Sequence, residues 1–180
     1  SCGDDIEDPL VNGVAGAPNK ELLLVVSSDR GLCGAFNSYV LRTASNHIKS
    51  LRAAGTEFEL QVSGKKAGAY FSFVGHEINK RYTFGDKPTF EEIAEVADEL
   101  IARFAAGEFD AVRIVYMRFI TTSRQEPELM QLLPMKLDAE GDEATAETSG
   151  GASYEFSPST EEILSELLPR AVRTSLFQAI

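Results

Sequence analysis

Stretches with the pattern of buried strands alternate with stretches that have the spacing of amphipathic helices. Glu21 to Ser27 is apolar at five consecutive positions, which is typical of a strand buried on both faces of a sheet. Apolar residues then recur at helical spacing from Phe36 to Leu51, and Gly55 ends that helix. Residues 58–62 alternate as a second strand. The sequence therefore predicts an α/β domain with a mostly parallel sheet and right-handed crossovers.

The alternation continues along the chain, with weaker signals for some elements. We predict a short helix from Lys65 to Val74 and a strand from Glu77 to Tyr82, which is half charged. Thr89, followed by Glu92, has the capping-box pattern and opens a helix that ends near Gly107. Ala111 to Phe119 is a second strongly hydrophobic strand. These elements complete a small doubly wound domain.

A last helical pattern begins at Ser159 and reaches Ile180 without a capping residue. Pro169 predicts a kink or a short break, because proline costs a helix interior about 3 kcal/mol. The apolar stripe after Pro169 is broader than a lone terminal helix needs, so we expect it to pack on something outside this chain. Since the first residue is Ser1 and not Met, we also expect the chain to be an excised piece.

The net charge of −11 is concentrated in two segments. Four of the 28 acidic residues lie within residues 4–8 and five within 138–147, and without these nine, 19 acids face 17 bases. The folded body is thus nearly neutral, which argues against a nucleic-acid surface. We predict a polar leader over residues 1–20, an α/β domain over 21–158 with a flexible acidic loop at 138–152, and a terminal helix over 159–180.

The sequence shows neither a transmembrane helix nor a secretory signal peptide. A membrane helix needs roughly 20 apolar residues, and the longest clean run, Leu22 to Val26, is strand-sized. No basic segment followed by an apolar one marks a secretory signal. A chain of 180 residues can bury a core without disulfides or a structural metal.

The first strand-to-helix turn, where such a domain would bind a nucleotide, lacks the residues that this binding needs. Gly31 and Gly34 do not have the dinucleotide spacing, and the stretch at Gly64 lacks the remaining residues of a phosphate-binding P-loop. Cys33 has Tyr39 where a cysteine phosphatase needs arginine. We therefore interpret Cys33 as a small buried hydrophobe in a tight turn.

The two histidines do not belong to a recognisable site. Neither His47 nor His76 has a cysteine or carboxylate spaced to complete a metal site, so we expect both to be structural or surface residues. We predict no catalytic, cofactor-binding or metal-ligating residue. On pattern alone, the chain is a catalytically silent α/β domain that carries an interaction helix.

Three stretches nevertheless resemble one known family, in the right order. Residues 27–37, Ser-Ser-Asp-Arg-Gly-Leu-Cys-Gly-Ala-Phe-Asn, closely resemble the strand-to-helix motif of the gamma subunit of the rotary ATP synthase. Residues 119–134 and 154–170 resemble later segments of the same family. The resemblance covers about residues 20–180. Ala35 departs from it, since many relatives have a second glycine there.

The resemblance implies a Rossmann-like domain inserted between two long helices that coil into a rotor shaft, of which residues 159–180 would be the beginning of the second. It implies a mechanical, non-catalytic role in which the central stalk couples proton flow through the membrane c-ring to ATP synthesis in the alpha/beta head. The implied partners are the alpha, beta and epsilon subunits and the c-ring. The implied location is peripheral, on the cytoplasmic face of a bacterial plasma membrane or, alternatively, the matrix face of the mitochondrial inner membrane.

The resemblance also implies two contact segments. The first faces the lower rim of the head, where an acidic loop of the beta subunit would suit Arg30, and consists of Asp29, Arg30, Gly31, Leu32, Cys33 and Gly34. The second lies at the foot, near epsilon and the ring, and consists of Tyr154, Glu155 and Phe156. The chain lacks the cysteine-bearing insertion of chloroplast relatives, which argues against a thiol-regulated plastid form.

Two alternatives remain open at this point. An orphan α/β module for a small ligand would have a preformed pocket at the carboxyl ends of the strands and would bind a phosphorylated molecule. A regulatory interaction domain of an unrelated assembly would have no affinity for ATP synthase subunits. Neither alternative accounts for three motif matches in order.

Overall fold

A computed structural model describes residues 9–28, 34–84, 88–121, 123–135 and 160–180. Its strands are β1 (Lys20–Val26), β2 (Glu57–Ser63), β3 (Lys80–Tyr82), β4 (Ala111–Thr121) and β5 (Arg124–Leu133). Its helices are α1 (Pro9–Asn12), α2 (Gly34–Ala53), α3 (Lys65–Phe73), α4 (Phe90–Ala105) and α5 (Thr160–Ala179). The predicted acidic loop at 138–152 and the predicted helix start at Ser159 lie outside the described residues.

The five strands form one sheet in the order β3-β2-β1-β4-β5. Central β1 pairs in parallel with both neighbours, so that Leu23 lies beside Leu60 of β2 and Arg113 of β4. β2 and β3 are also parallel, and only β5 runs antiparallel. The continuous apolar sequence of β1 is explained by this central position, because a parallel strand with helices on both sides has no solvent-facing side chains. The predicted mostly parallel sheet is confirmed.

Helices cover both faces of the sheet and give three layers. On one face, Leu23 and Val25 of β1 pack in a buried cluster with Val40 and Ile48 of α2 and Phe71 of α3. On the other face, the side chains that alternate with them pack beneath α1, α4 and α5, and this buried cluster includes Leu22, Leu24, Val112, Ile114, Ile93, Leu100 and Phe104. The two clusters are the core that positions the ends of the strands.

The ends of the helices follow the signals in the sequence. The backbone N–H of Glu92 donates to Thr89 Oγ1 over 3.2 Å, and the backbone N–H of Thr89 donates to a Glu92 carboxylate oxygen over 3.0 Å. This capping box begins α4, as predicted. Gly55 after α2 and Gly107 after α4 both have positive φ, of 74° and 82°. Glycine adopts this conformation at little cost, so both predicted helix ends are confirmed.

Two strands differ from the sequence prediction. Strand β5 was not predicted as an element, because residues 124–128 are polar and no apolar alternation marks them. Its pairing with β4 holds it in place, and only Leu132 and Leu133 of this strand are buried. Strand β3 is shorter than the predicted Glu77 to Tyr82 and begins at Lys80. The preceding residues 77–79 are not part of the strand, and Asn79 binds the backbone of Leu60 through its own N–H and its side-chain Oδ1.

The terminal helix α5 also corrects two expectations. It is continuous from Thr160 to Ala179, so no break occurs at Pro169. Its apolar stripe packs on α4 within this chain, and not on something outside it, through Leu168, Val172, Leu176 and Ala179. Burial of each large apolar side chain contributes about 1.5–3 kcal/mol, which offsets the cost of a proline in the helix. Within the predicted leader, Leu10 of α1 is buried in the same cluster.

Candidate functional site

The carboxyl ends of β1 and β2 form the edge of the sheet where a doubly wound domain binds its ligand. Ser27 and Ser28 follow β1 there, while Ser63 ends β2 and Gly64 begins the turn into α3. Ser27 and Ser63 are buried. The contacts of these residues therefore decide whether the space between these two strand ends is open to a ligand.

Ser27 occupies the amino end of α3. Its Oγ accepts a hydrogen bond from the backbone N–H of Ala67 over 2.8 Å and donates to the carbonyl of Ser63 over 3.1 Å. The backbone N–H of Lys66 donates to the carbonyl of Ser28 over 3.3 Å. The free N–H groups at the start of a helix would otherwise be the anion-binding donors. Here two of those donors are bound by oxygens of the chain itself.

Gly64 permits this close approach of the two strand ends. Its φ is 97°, and a Cβ added to it would lie 2.2 Å from the carbonyl oxygen of Ser27. No side chain fits at that distance, so the position requires glycine. Gly64 and Lys65 superficially resemble the end of a P-loop. The glycine is explained by the close packing of the two strand ends.

Asn37 joins the two sides of the predicted contact loop. It is 6% exposed, its Oδ1 accepts from the backbone N–H of Ser28 over 3.1 Å, and its Nδ2 donates to Ser28 Oγ over 3.0 Å. Ser28 precedes the loop and Asn37 lies in the first turns of α2. We call Ser27, Ser28, Asn37, Ser63 and Gly64 the strand-end lock. Three residues of the strand-end lock, Ser27, Ser28 and Asn37, belong to the motif at residues 27–37.

The predicted contact residues lie almost entirely outside the described residues. Gly34 is the first residue of α2. Asp29, Arg30, Gly31, Leu32 and Cys33 lie outside the described ranges, as do Tyr154, Glu155 and Phe156. Their roles stay predictions.

A second polar cluster lies at the amino end of the sheet. Glu21 of β1 is 1% exposed and accepts hydrogen bonds from His47 of α2 and Arg113 of β4. Arg113 also donates to Gln131 of β5 over 2.9 Å. An open cavity of about 240 Å³ adjoins Glu21 and Arg113, and burial, followed by the charge of Glu21, raises the pKa of the neighbouring Asp110. His47 thus has a structural contact, as expected.

A third cluster connects β2 to α4. Arg103 donates to both carboxylate oxygens of Glu59, over 2.7 and 2.8 Å, and its guanidinium lies 4.7 Å from the centroid of the Phe109 ring. The Arg103 hydrogen bond holds the pKa of Glu59 below its usual range. Tyr82 donates to Gln61 over 2.8 Å, and burial raises the pKa of Tyr82. These groups are all paired, and we interpret them as structural.

The sequence reasoning missed the second and third clusters. A charged residue such as Glu21 at the start of an otherwise apolar strand was the available signal, since buried carboxylates need a partner. His76 contacts Arg52 over 3.2 Å and the rings of Phe58 and Phe71. Burial, together with the nearby Arg52, lowers the pKa of His76.

The described ranges contain neither a metal-binding cluster nor a membrane-spanning helix. In these, no three or more His, Cys, Asp or Glu side chains converge to hold a metal ion. No helix in the same part of the chain is both long and apolar enough to cross a membrane. The largest exposed aromatic of the β4–β5 hairpin is Phe119, which is 66% exposed and begins the second family-like stretch.

Comparisons with known proteins agree on one family. The family model described as ATP synthase matches residues 3–180. The gamma chain of Rhodopirellula baltica ATP synthase is 36% identical over 182 residues, which is 98% of this chain and 60% of the relative. The gamma chain of Erythrobacter litoralis is 40% identical over 170 residues, which is 92% of this chain and 57% of the relative. The chain thus spans about 60% of the length of these relatives.

Solved structures show the same fold. The central stalk and c-ring structure of the Tetrahymena thermophila mitochondrial ATP synthase contains a chain that matches with a TM-score of 0.65 and 21% identity, over 93% of this chain and 70% of that one. A rotor structure of the Euglena gracilis mitochondrial ATP synthase matches with a TM-score of 0.56 and 18% identity, over 88% and 59%. At these identities, the likeness describes the fold.

Proposed function

Because the chain belongs to the ATP synthase gamma chain family, we propose that it is the α/β domain of a central-stalk subunit and does mechanical work in the rotor. In this role the domain turns with the shaft and couples proton flow to ATP synthesis in the alpha/beta head. The family match over residues 3–180 supports this reading. The alternative of an orphan ligand-binding or regulatory module has no observation in its favour.

The non-catalytic part of the proposal is supported by one structural observation, the strand-end lock. At the carboxyl edge of the sheet, Ser27, Asn37 and Gly64 fill the space between the ends of β1 and β2. Binding a phosphate there would require Ser27 Oγ to leave the amino end of α3.

The partners we propose are the alpha, beta and epsilon subunits and the c-ring. The loop from Asp29 to Gly34 would contact the beta subunit, with Arg30 facing acidic side chains. The segment from Tyr154 to Phe156 would contact epsilon and the ring. The domain would then be peripheral to the membrane through its complex, on the cytoplasmic face of a bacterial plasma membrane.

A titration with the epsilon subunit of the same source tests the proposal. We expect saturable one-to-one binding that weakens in Tyr154→Ala and Phe156→Ala. Arg42→Ala is a suitable control, because Arg42 is exposed on α2 and lies outside both predicted contact segments. Tight saturable binding of ATP by the chain alone would contradict the proposal and favour the ligand-binding alternative.

A further inference from the structure

Helices α4 and α5 pack antiparallel along a seam that has an apolar centre and two contacts at its side. Phe90 at the start of α4 meets Phe177 near the end of α5, edge to face, with 5.5 Å between ring centroids. Farther along, Arg173 Nε donates to Asp98 Oδ1 over 2.7 Å. Both contacts join the same two helices, so together they oppose rotation of α5 about its own axis.

The apolar centre of the seam has the spacing of a helix face. Leu168, Val172 and Leu176 are four residues apart and all are at most 4% exposed. They lie in one buried cluster with Ile93 and Leu100 of α4. Residues four apart lie one above the other on a helix, so the seam extends over about two turns of α5. Leu168 of the seam lies directly beside Pro169, which has no backbone N–H to donate to the helix.

We propose that the α4–α5 seam is the mechanical joint between the α/β domain and the shaft, and that it holds α5 independently of the covalent connection through residues 136–159. The mechanical role of the seam rests on the proposed function. Torque that acts on α5 then reaches the sheet through Val172, Leu176 and Arg173.

Cleavage of the chain between β5 and α5 tests whether the seam holds α5 without the covalent connection. A protease site is inserted between residues 140 and 150 of the chain, and a fluorophore is attached at Thr174→Cys after Cys2 and Cys33 are replaced by serine. Thr174 is exposed on α5. Gel filtration after cleavage shows whether residues 160–180 stay bound, and fluorescence anisotropy decay shows whether α5 tumbles with the domain.

We expect the cleaved peptide to co-elute with the domain and to show no independent fast motion. Leu176→Ala should weaken its retention by roughly tenfold or more, since it removes a buried side chain from the seam. The double variant Arg173→Ala, Phe177→Ala should retain the peptide but allow fast motion of α5. Arg170→Ala, on the exposed side of the same helix, should behave as the unmodified chain.

Separation of the peptide from the unmodified chain on cleavage would overturn the inference, and so would equal retention by Leu176→Ala. Amide protection of β1, measured by hydrogen exchange, verifies that each variant is folded. These readouts need no partner subunit. A failure here is therefore distinct from a failure of the epsilon titration, which tests the proposed function.

Discussion

Replacement of Gly64 by alanine tests the strand-end lock directly. At a φ of 97° an L residue is strained, which costs about 1–3 kcal/mol. The new Cβ would also lie 2.2 Å from the Ser27 carbonyl oxygen, so the strand end must move. That movement breaks the two hydrogen bonds of Ser27 Oγ, each of which contributes about 1 kcal/mol. We expect Gly64→Ala to lower the free energy of unfolding by about 3–5 kcal/mol.

Gly55→Ala is the matched control for this substitution. Gly55 has a similar positive φ of 74°, but a Cβ there would have no atom within 4 Å. Its loss should be limited to the backbone strain, about 1–2 kcal/mol. Urea unfolding followed by circular dichroism gives both values from the midpoints and slopes. Equal losses in the two variants would refute the close approach of Gly64 to Ser27.

Three further substitutions test other parts of the structure. Asn37→Ala should cost about 1–3 kcal/mol in urea unfolding, because it removes the side chain that accepts the part-buried hydrogen bond of the Ser28 N–H. Asn37→Asp should recover part of that loss, and no loss in Asn37→Ala would contradict the described contact. Thr89→Ala should cost about 1 kcal/mol and Thr89→Ser much less, since serine keeps the capping oxygen. Arg103→Ala should cost about 1–3 kcal/mol at neutral pH, by loss of the partner of a largely buried Glu59. Because the pKa of Glu59 is lowered in the folded state, the ionised Glu59 stabilises the fold at neutral pH, and this stabilisation is lost as pH falls below about 4. The midpoint of urea unfolding should therefore depend less steeply on pH in this acid range in Arg103→Ala than in the unmodified chain.

The parts of the fold with strong periodicity could be predicted from the sequence. The run from Leu22 to Val26 identified the central strand, and the capping box at Thr89 identified the start of α4. Strand β5 could not be predicted, because its first half is polar and is held by its pairing with β4. The packing of α5 on α4 could not be predicted either, because an apolar stripe shows that a helix is buried but does not identify its partner.

The candidate site could be predicted only as a motif. The resemblance at residues 27–37 marked the right loop, but it gave no reason for Ser27, Ser28 or Asn37. Their hydrogen bonds join residues that are 9 to 40 positions apart, and such pairing follows from the topology of the sheet. The Glu21–Arg113 pair spans 92 positions and was unpredictable for the same reason. The contact residues from Asp29 to Cys33 and from Tyr154 to Phe156 stay predictions.

A chimeric rotor tests the central claim most directly. The chain would replace the matching part of the gamma chain of a relative that is about 40% identical, and the assembled synthase would be assayed for ATP-driven proton pumping in inverted vesicles. We predict pumping well above that of a complex without any gamma chain. A chimera that assembles and hydrolyses ATP, yet pumps no better than the complex without a gamma chain, would contradict a mechanical role for this domain.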